Sequence, residues 1–160
     1  MKAVVFGGAG VQGAFAAKDL AKRPEITRVL VVDINAEAVR RVAREIGPKA
    51  EAASIDVNDR RQVLAAMDGA RVVANFTGPG FVYAPIVVSA AVEAGVNYVD
   101  INDDLEAIPR VLAFDQAARD KEITVLCGMG VSPGMTDLHA RLAADKLDQV
   151  DEVHIIWVIS

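Results

Sequence analysis

The sequence predicts an α/β fold, a doubly wound parallel sheet of six strands, with the opening helix and strand of a second domain at the C-terminus. Three observations predict it. An apolar run at residues 3–6 leads straight into glycines at positions 8, 10 and 13, the spacing G-x-G-x-x-G. The run VLVVD then closes on an acid, Asp33, twenty positions after Gly13. Beyond it, short β-branched runs alternate with segments of helical period through most of the chain.

Composition narrows the classes of function. A chain of 160 residues holds one proper core. With 17 basic and 22 acidic residues and no Lys/Arg run, it has no basic face for nucleic acid. The single cysteine, Cys127, excludes an internal disulfide framework and a cysteine-based zinc cluster, and fits a reducing cytoplasm. Neither His139 nor His154 has partners in the sequence that suggest a metal. No apolar run reaches the ~18 residues a membrane span needs. The first residues resemble a signal peptide only until their glycines and Gln12 interrupt the apolar stretch, so they are read as the first strand and helix.

The elements run in order along the chain. Strand 3–6 turns through the glycines into a helix from Val11 that stops near Pro24. Residues 28–33 form the second strand, apolar enough to be buried on both faces. Asn35 caps a helix with Val39, Val42, Ala43 and Ile46 inward, ended by Gly47-Pro48. A third strand at 52–55 leads to Asn58, a cap for a helix carrying Val63, Leu64 and Met67. The fourth strand, 71–76, runs into TGPG and a helix with Pro85 in its first turn. Strands at 96–101 and 123–127 flank a helix over 108–121. Six strands and five helices complete the order 3-2-1-4-5-6 by about Gly128, the Rossmann arrangement. Residues 1–128 are thus a dinucleotide-binding domain. Residues 129–160 add a helix from Pro133 to about Leu147 and a strand in DEVHIIWVIS, read as the start of a further domain or as an added edge strand.

The glycine motif assigns the cofactor. Gly8 permits the tight turn, Gly10 lets a pyrophosphate approach the backbone, and Gly13 packs the helix close to the sheet. Val11 and Gln12, at the helix start, aim free N–H groups at the phosphates. Asp33, with Ile34 beside it, accepts from the adenosine ribose or caps the following helix. Asp56 and Val57 either hold adenine or form a turn. Thr77 and Gly78 in NFTGPG lie beyond the fourth strand, where backbone can approach the nicotinamide ribose. The absence of Arg or Ser after Asp33 favours NAD, with NADP second. Cys127 reads as a core residue.

GGAGVQG, DIN, IDVND, NFTGPG, AGVNYVDINDD and GVSPGMTDL occur in this order. Together they resemble the N-terminal part of the saccharopine dehydrogenase/reductase-like family, which includes lysine 6-dehydrogenases and carboxynorspermidine dehydrogenases. The resemblance implies a Rossmann domain interrupted by a substrate and dimerisation domain, hence a homodimer. It implies an oxidoreductase acting on the C–N bond of an amino acid or related amine. It also places Tyr98 and Asp100 at the nicotinamide, Asp100 anchoring a substrate amine and Tyr98 as a wall or proton relay, although a strand-end Asp can equally cap the next turn of the chain. Ser132 stands where saccharopine reductases usually carry an acid, a departure that points away from saccharopine itself. Two other readings are a non-catalytic NAD(P)-binding sensor or scaffold and an enoyl-reductase-like enzyme acting on a lipid.

Overall fold

The computed structural model describes residues 1–156. Six parallel strands form one sheet in the order β3-β2-β1-β4-β5-β6. They are β1 (Lys2–Phe6), β2 (Arg28–Asp33), β3 (Ala50–Ser54), β4 (Ala70–Asn75), β5 (Asn97–Asp100) and β6 (Val125–Leu126). The period-two alternation of a strand divides the core in two. Val4, Phe6, Leu30, Val32 and Val73 face one side, against helices α3 (Arg60–Met67) and α4 (Gly80–Ala94). Ala3, Val5, Val29 and Val31 face the other, against α1 (Val11–Lys22) and α2 (Ala36–Ile46). β1 lies between β2 and β4, with Ala3 to Phe6 wholly buried, so chain order reverses at its carboxyl end. A crevice opens at such a point in a doubly wound sheet.

Local chemistry moves several boundaries. Asn35 caps α2 as expected, its Oδ1 accepting from the Ala38 N–H at 3.0 Å. At α3 the cap is Asp59 rather than Asn58: its Oδ1 accepts from the N–H groups of Arg61 and Gln62. α4 starts at Gly80, so Pro85 sits inside the helix rather than in its first turn. Proline has no N–H to offer the carbonyl four residues back, that of Phe81. Arg110 supplies the missing donor, Nη1 to the Phe81 oxygen at 3.0 Å. The helix expected over 108–121 is two, α5 (Ala107–Leu112) and α6 (Asp115–Asp120), separated where Phe114 turns to pack against the core.

After β6, a wide turn (Val131–Met135) with Ser132 in extended conformation leads into α7 (Thr136–Ala144). Ser132 caps nothing among the described residues. α7 has no buried residue, and Leu138 and Leu142 lie open to solvent. The strand expected in DEVHIIWVIS is absent over residues 151–156, and its remainder, 157–160, lies outside the described residues. Among the described residues no helix is long and apolar enough to cross a membrane.

Candidate functional site

The crevice is built on the turn after β1. The positive φ that the turn requires falls on Gly7, at 66°, not on Gly8. A Cβ on Gly7 would lie 2.5 Å from the Phe76 carbonyl carbon, so Gly7 also lets the chain after β4 close in. Gly8 donates to the Val32 oxygen at 2.9 Å, and a Cβ there would strike Val31 and the Val5 oxygen. A Cβ on Gly13 would sit 2.2 Å from the Gly7 oxygen. Gly8 and Gly13 therefore serve close packing, Gly13 against the turn rather than the sheet. Gly10 differs. The nearest atom to its hypothetical Cβ is the Gly7 oxygen, at 3.3 Å, a tight contact that a shift of a few tenths of an ångström relieves, so the fold demands glycine less there than at Gly8 or Gly13. Gly10 precedes a helix start with no side-chain cap, and α1 carries no acid in its first turn. Val11 and Gln12 thus open a helix whose N–H groups and dipole are free for an anion.

Two clefts flank this turn. The first lies over the carboxyl ends of β1 to β4, and its lining brings together Gly10, Asp33, Ile34, Asp56, Val57, Thr77 and Gly78. Phe6, Phe76 and Tyr83, to which the sequence assigned no role at the site, give it apolar walls. Asp33 faces it with a carboxylate already in use, Oδ2 accepting from Ala9 N–H and Oδ1 from Asn35 N–H, each at 3.2 Å. It thus ties the glycine turn to the start of α2. Asp56 holds its own turn, Oδ1 accepting from the backbone and side-chain nitrogens of Asn58 at 2.9 Å. Each carboxylate retains acceptor capacity for a ribose or an adenine amine.

The second cleft lies on the far side of the turn, lined by Gln12, Thr77, Gly78, Gly80, Asn102 and Asp103 among others. Thr77 and Gly78 belong to both. Two of its lining residues each have a side-chain atom buried with no partner among the described residues, Thr77 Oγ1 and Asn102 Nδ2. A buried polar atom without a partner costs about 1–3 kcal/mol, so the pair fits a ligand that supplies one.

Tyr98 and Asp100 require a correction. The resemblance has them reach out of the sheet towards the nicotinamide, but they are 1% and 2% exposed and line neither cleft. Asn75 Nδ2 donates to the Tyr98 hydroxyl at 3.0 Å, and that hydroxyl donates to Asp100 Oδ2 at 2.7 Å. Asp100 Oδ1 accepts from the N–H groups of Asn102 and Gly128, both at 3.0 Å. The loop over the end of β5 closes on the carboxylate and buries it, away from both clefts. Burial first, and then the Asp100 charge, hold the Tyr98 phenol protonated well above its ordinary range. Cys127, half-buried against the core, has its thiol pushed up by the same two causes. Among the described residues no group of three or more His, Cys, Asp or Glu could hold a metal.

The family described as "Saccharopine dehydrogenase NADP binding domain" matches residues 4–126. The chain belongs to this family. Among solved structures, an apo saccharopine dehydrogenase (L-Glu forming) from Saccharomyces cerevisiae superposes with a TM-score of 0.76 at 23% identity, over 91% of this chain and 31% of that one. A Citrobacter triphenylmethane reductase complexed with NADP(H) gives 0.59 at 21% identity, over 79% and 48%. A metagenomic short-chain oxidoreductase in complex with NADP gives 0.59 at 19%, over 97% and 94%. At these identities the structural matches speak for the fold. The chain spans under half the length of the first two relatives. A nucleotide cofactor follows from family membership, and the family's description favours NADP, against the order expected from Asp33.

This geometry separates the glycines by experiment. Gly10→Ala should keep stability within about 1 kcal/mol yet weaken dinucleotide binding at least tenfold, whereas Gly13→Ala should lose about 1–3 kcal/mol through overpacking. Urea midpoints with calorimetric titration of NADPH tell the two apart, and equal stability losses would refute the division of roles. For Tyr98, the unfolded chain ionises the phenol near its ordinary 10.0 while the folded chain keeps its proton to higher pH. Between those values the unfolded state binds fewer protons, so stability falls as pH rises. Urea midpoints measured from pH 8 upward should decline above about pH 10, and Tyr98→Phe, although less stable at neutral pH, should flatten that decline. Parallel curves would assign the alkaline loss elsewhere.

Proposed function

We propose that this chain is the cofactor-binding part of an NAD(P)-dependent oxidoreductase acting on the C–N bond of an amino acid or related amine. The observation that carries the reading is the pairing of two clefts across one uncapped helix start. One has carboxylates suited to an adenosine half, and the other has unpartnered polar atoms suited to a second half. The cofactor, when bound, supplies the hydride chemistry. The chain's residues bind and orient it: Gly10 and the first N–H groups of α1 take the pyrophosphate, Asp33 the ribose, and Asp56 and Val57 the adenine. Thr77 and Gly78 carry it across to the second cleft.

The carboxylate suited to a substrate amine is Asp103, exposed at the second cleft, rather than the enclosed Asp100. The hydrocarbon side chains of α7 suit packing against a further domain that completes the substrate pocket, since a pocket needs a second wall to fix orientation. The chain alone is therefore expected to bind cofactor and turn nothing over. The test is to follow nicotinamide absorbance with lysine or saccharopine added to this chain, and with the same amines added to the full reading frame and its Asp103→Asn variant. Turnover by the short chain would refute the incomplete pocket. An unchanged KM in Asp103→Asn would refute the amine anchor.

The choice between NADP and NAD is made at Asp33. A carboxylate about 4 Å from a 2′-phosphate costs a few kcal/mol at an effective dielectric of about 20. NADP, which the family description favours, has to be accepted in spite of it. Asp33→Asn removes the charge while retaining an acceptor oxygen for the turn. It should strengthen NADPH binding at least tenfold relative to NADH. Calorimetric titration of both into parent and variant measures this, and an unchanged ratio would show that the 2′ position lies away from Asp33.

A further inference from the structure

Asn102 is a residue whose chemistry the motifs leave unused. It lies two positions after Asp100 on the loop that closes β5, and every local contact holds it still. Its N–H donates to Asp100 Oδ1, and its own Oδ1 accepts from the Asp104 N–H at 3.3 Å. The other flank of the amide is set by Gly80, where a Cβ would fall 2.1 Å from Asn102 Oδ1. Because Oδ1 faces a backbone donor, the NH2 group is the end left over. That Nδ2 is buried with no partner among the described residues, on a residue that lines the second cleft. An amide nitrogen only donates, so what it lacks is an oxygen acceptor.

We propose that Asn102 is a specificity-determining residue of the second cleft, its Nδ2 donating to the carboxamide oxygen of a bound nicotinamide, with Gly80 and Asp100 acting as the positioning residues that hold the amide in place. This rests on the dinucleotide reading above. The Thr77 hydroxyl, the other unpartnered atom of the cleft, stands on its opposite strand end and suits the adjoining ribose. A ligand that stops at the diphosphate satisfies neither atom, one that adds the second ribose satisfies Thr77 alone, and the whole cofactor satisfies both. Asn102 would therefore discriminate the whole cofactor from the same molecule without its ring.

The experiment is calorimetric titration of the chain with NADPH, whose reduced ring is uncharged, and with 2′-phospho-ADP-ribose, which lacks the ring; NADH and ADP-ribose replace them if they bind tighter. Asn102→Asp keeps the oxygen that Asp104 uses and removes the donor. It should weaken the dinucleotide at least tenfold and the fragment less than twofold. Gly80→Ala leaves Asn102 in the chain but displaces its amide, and should give the same one-sided loss. Far-ultraviolet circular dichroism and thermal midpoints verify that each variant is folded. Equal weakening of both ligands would mean that Asn102 only shapes the loop, and no weakening of either would mean that it faces away from the ligand, so either result overturns the proposal. If the parent binds the fragment but gains nothing from the ring, the proposal fails while the adenosine site stands. If it binds neither, the dinucleotide reading itself falls, and the proposal with it.

Discussion

The constraint on which the rest of the structure depends is the lodging of the Gly7 peptide between three parts of the chain. Its oxygen accepts from Gly10 N–H at 3.1 Å and lies where a side chain on Gly13 would have to be. Its α-carbon meets the backbone after β4 so closely that no Cβ fits. One peptide thus fixes the start of α1, the exit of β1 and the approach of the Phe76–Thr77 segment. If Gly7 took a side chain, the turn would have to leave the positive-φ region or push the β4 segment away. Either change would separate the two clefts that share Thr77 and Gly78. The uncapped helix start and the cleft walls are consequences of the same close packing.

Much of the fold was legible because its signals are local. Val39, Val42 and Ile46 repeat at helical spacing, and the runs in β1 and β2 are apolar throughout, so element type and sheet order follow from pattern. Boundaries were less legible where neighbouring residues compete for one role. Asn58 and Asp59 are both capable caps, and only backbone geometry selects Asp59. Pro85 reads as a helix start because proline usually marks one. Inside α4, the carbonyl it leaves free is taken by a guanidinium from Arg110, in a helix formed later in the chain.

The site divides in the same way. Gly10, Asp33, Asp56 and Thr77 could be brought to one cleft because each sits at or just after the carboxyl end of a strand, and these ends converge in a parallel sheet whatever the loops do. Gly7 escaped because the motif begins at Gly8, and its role depends on Phe76, far away in sequence. The alternation of β5 does put Tyr98 and Asp100 on one side. Whether that side meets ligand or interior is decided by Gly128, 28 residues after Asp100. No period within β5 contains that information. Asn102 and Asp103 were visible as part of a family-like string, but nothing in the string distinguishes the residue that holds the loop from the residue the loop presents.

The buried network also explains how a strand as short as β6, Val125–Leu126, can be held at the edge of the site. Two ladder residues contribute little pairing. The Asp100 carboxylate adds a charge-assisted bond from Gly128 N–H, and the Asp100 carbonyl accepts from Met129 N–H at 2.8 Å. Hydrogen bonds to a charged group contribute about 1.5–3 kcal/mol each, and an enclosed carboxylate deprived of them would be strongly destabilising. With the Tyr98 hydroxyl on one oxygen and two N–H groups on the other, the charge is satisfied, and the chain after β6 has one place to go. The acid at the end of β5 therefore acts on the shape of the second cleft from behind it. It holds the Asn102 backbone and the path towards α7 in register, and the side chains its loop presents to the second cleft are Asn102 and Asp103.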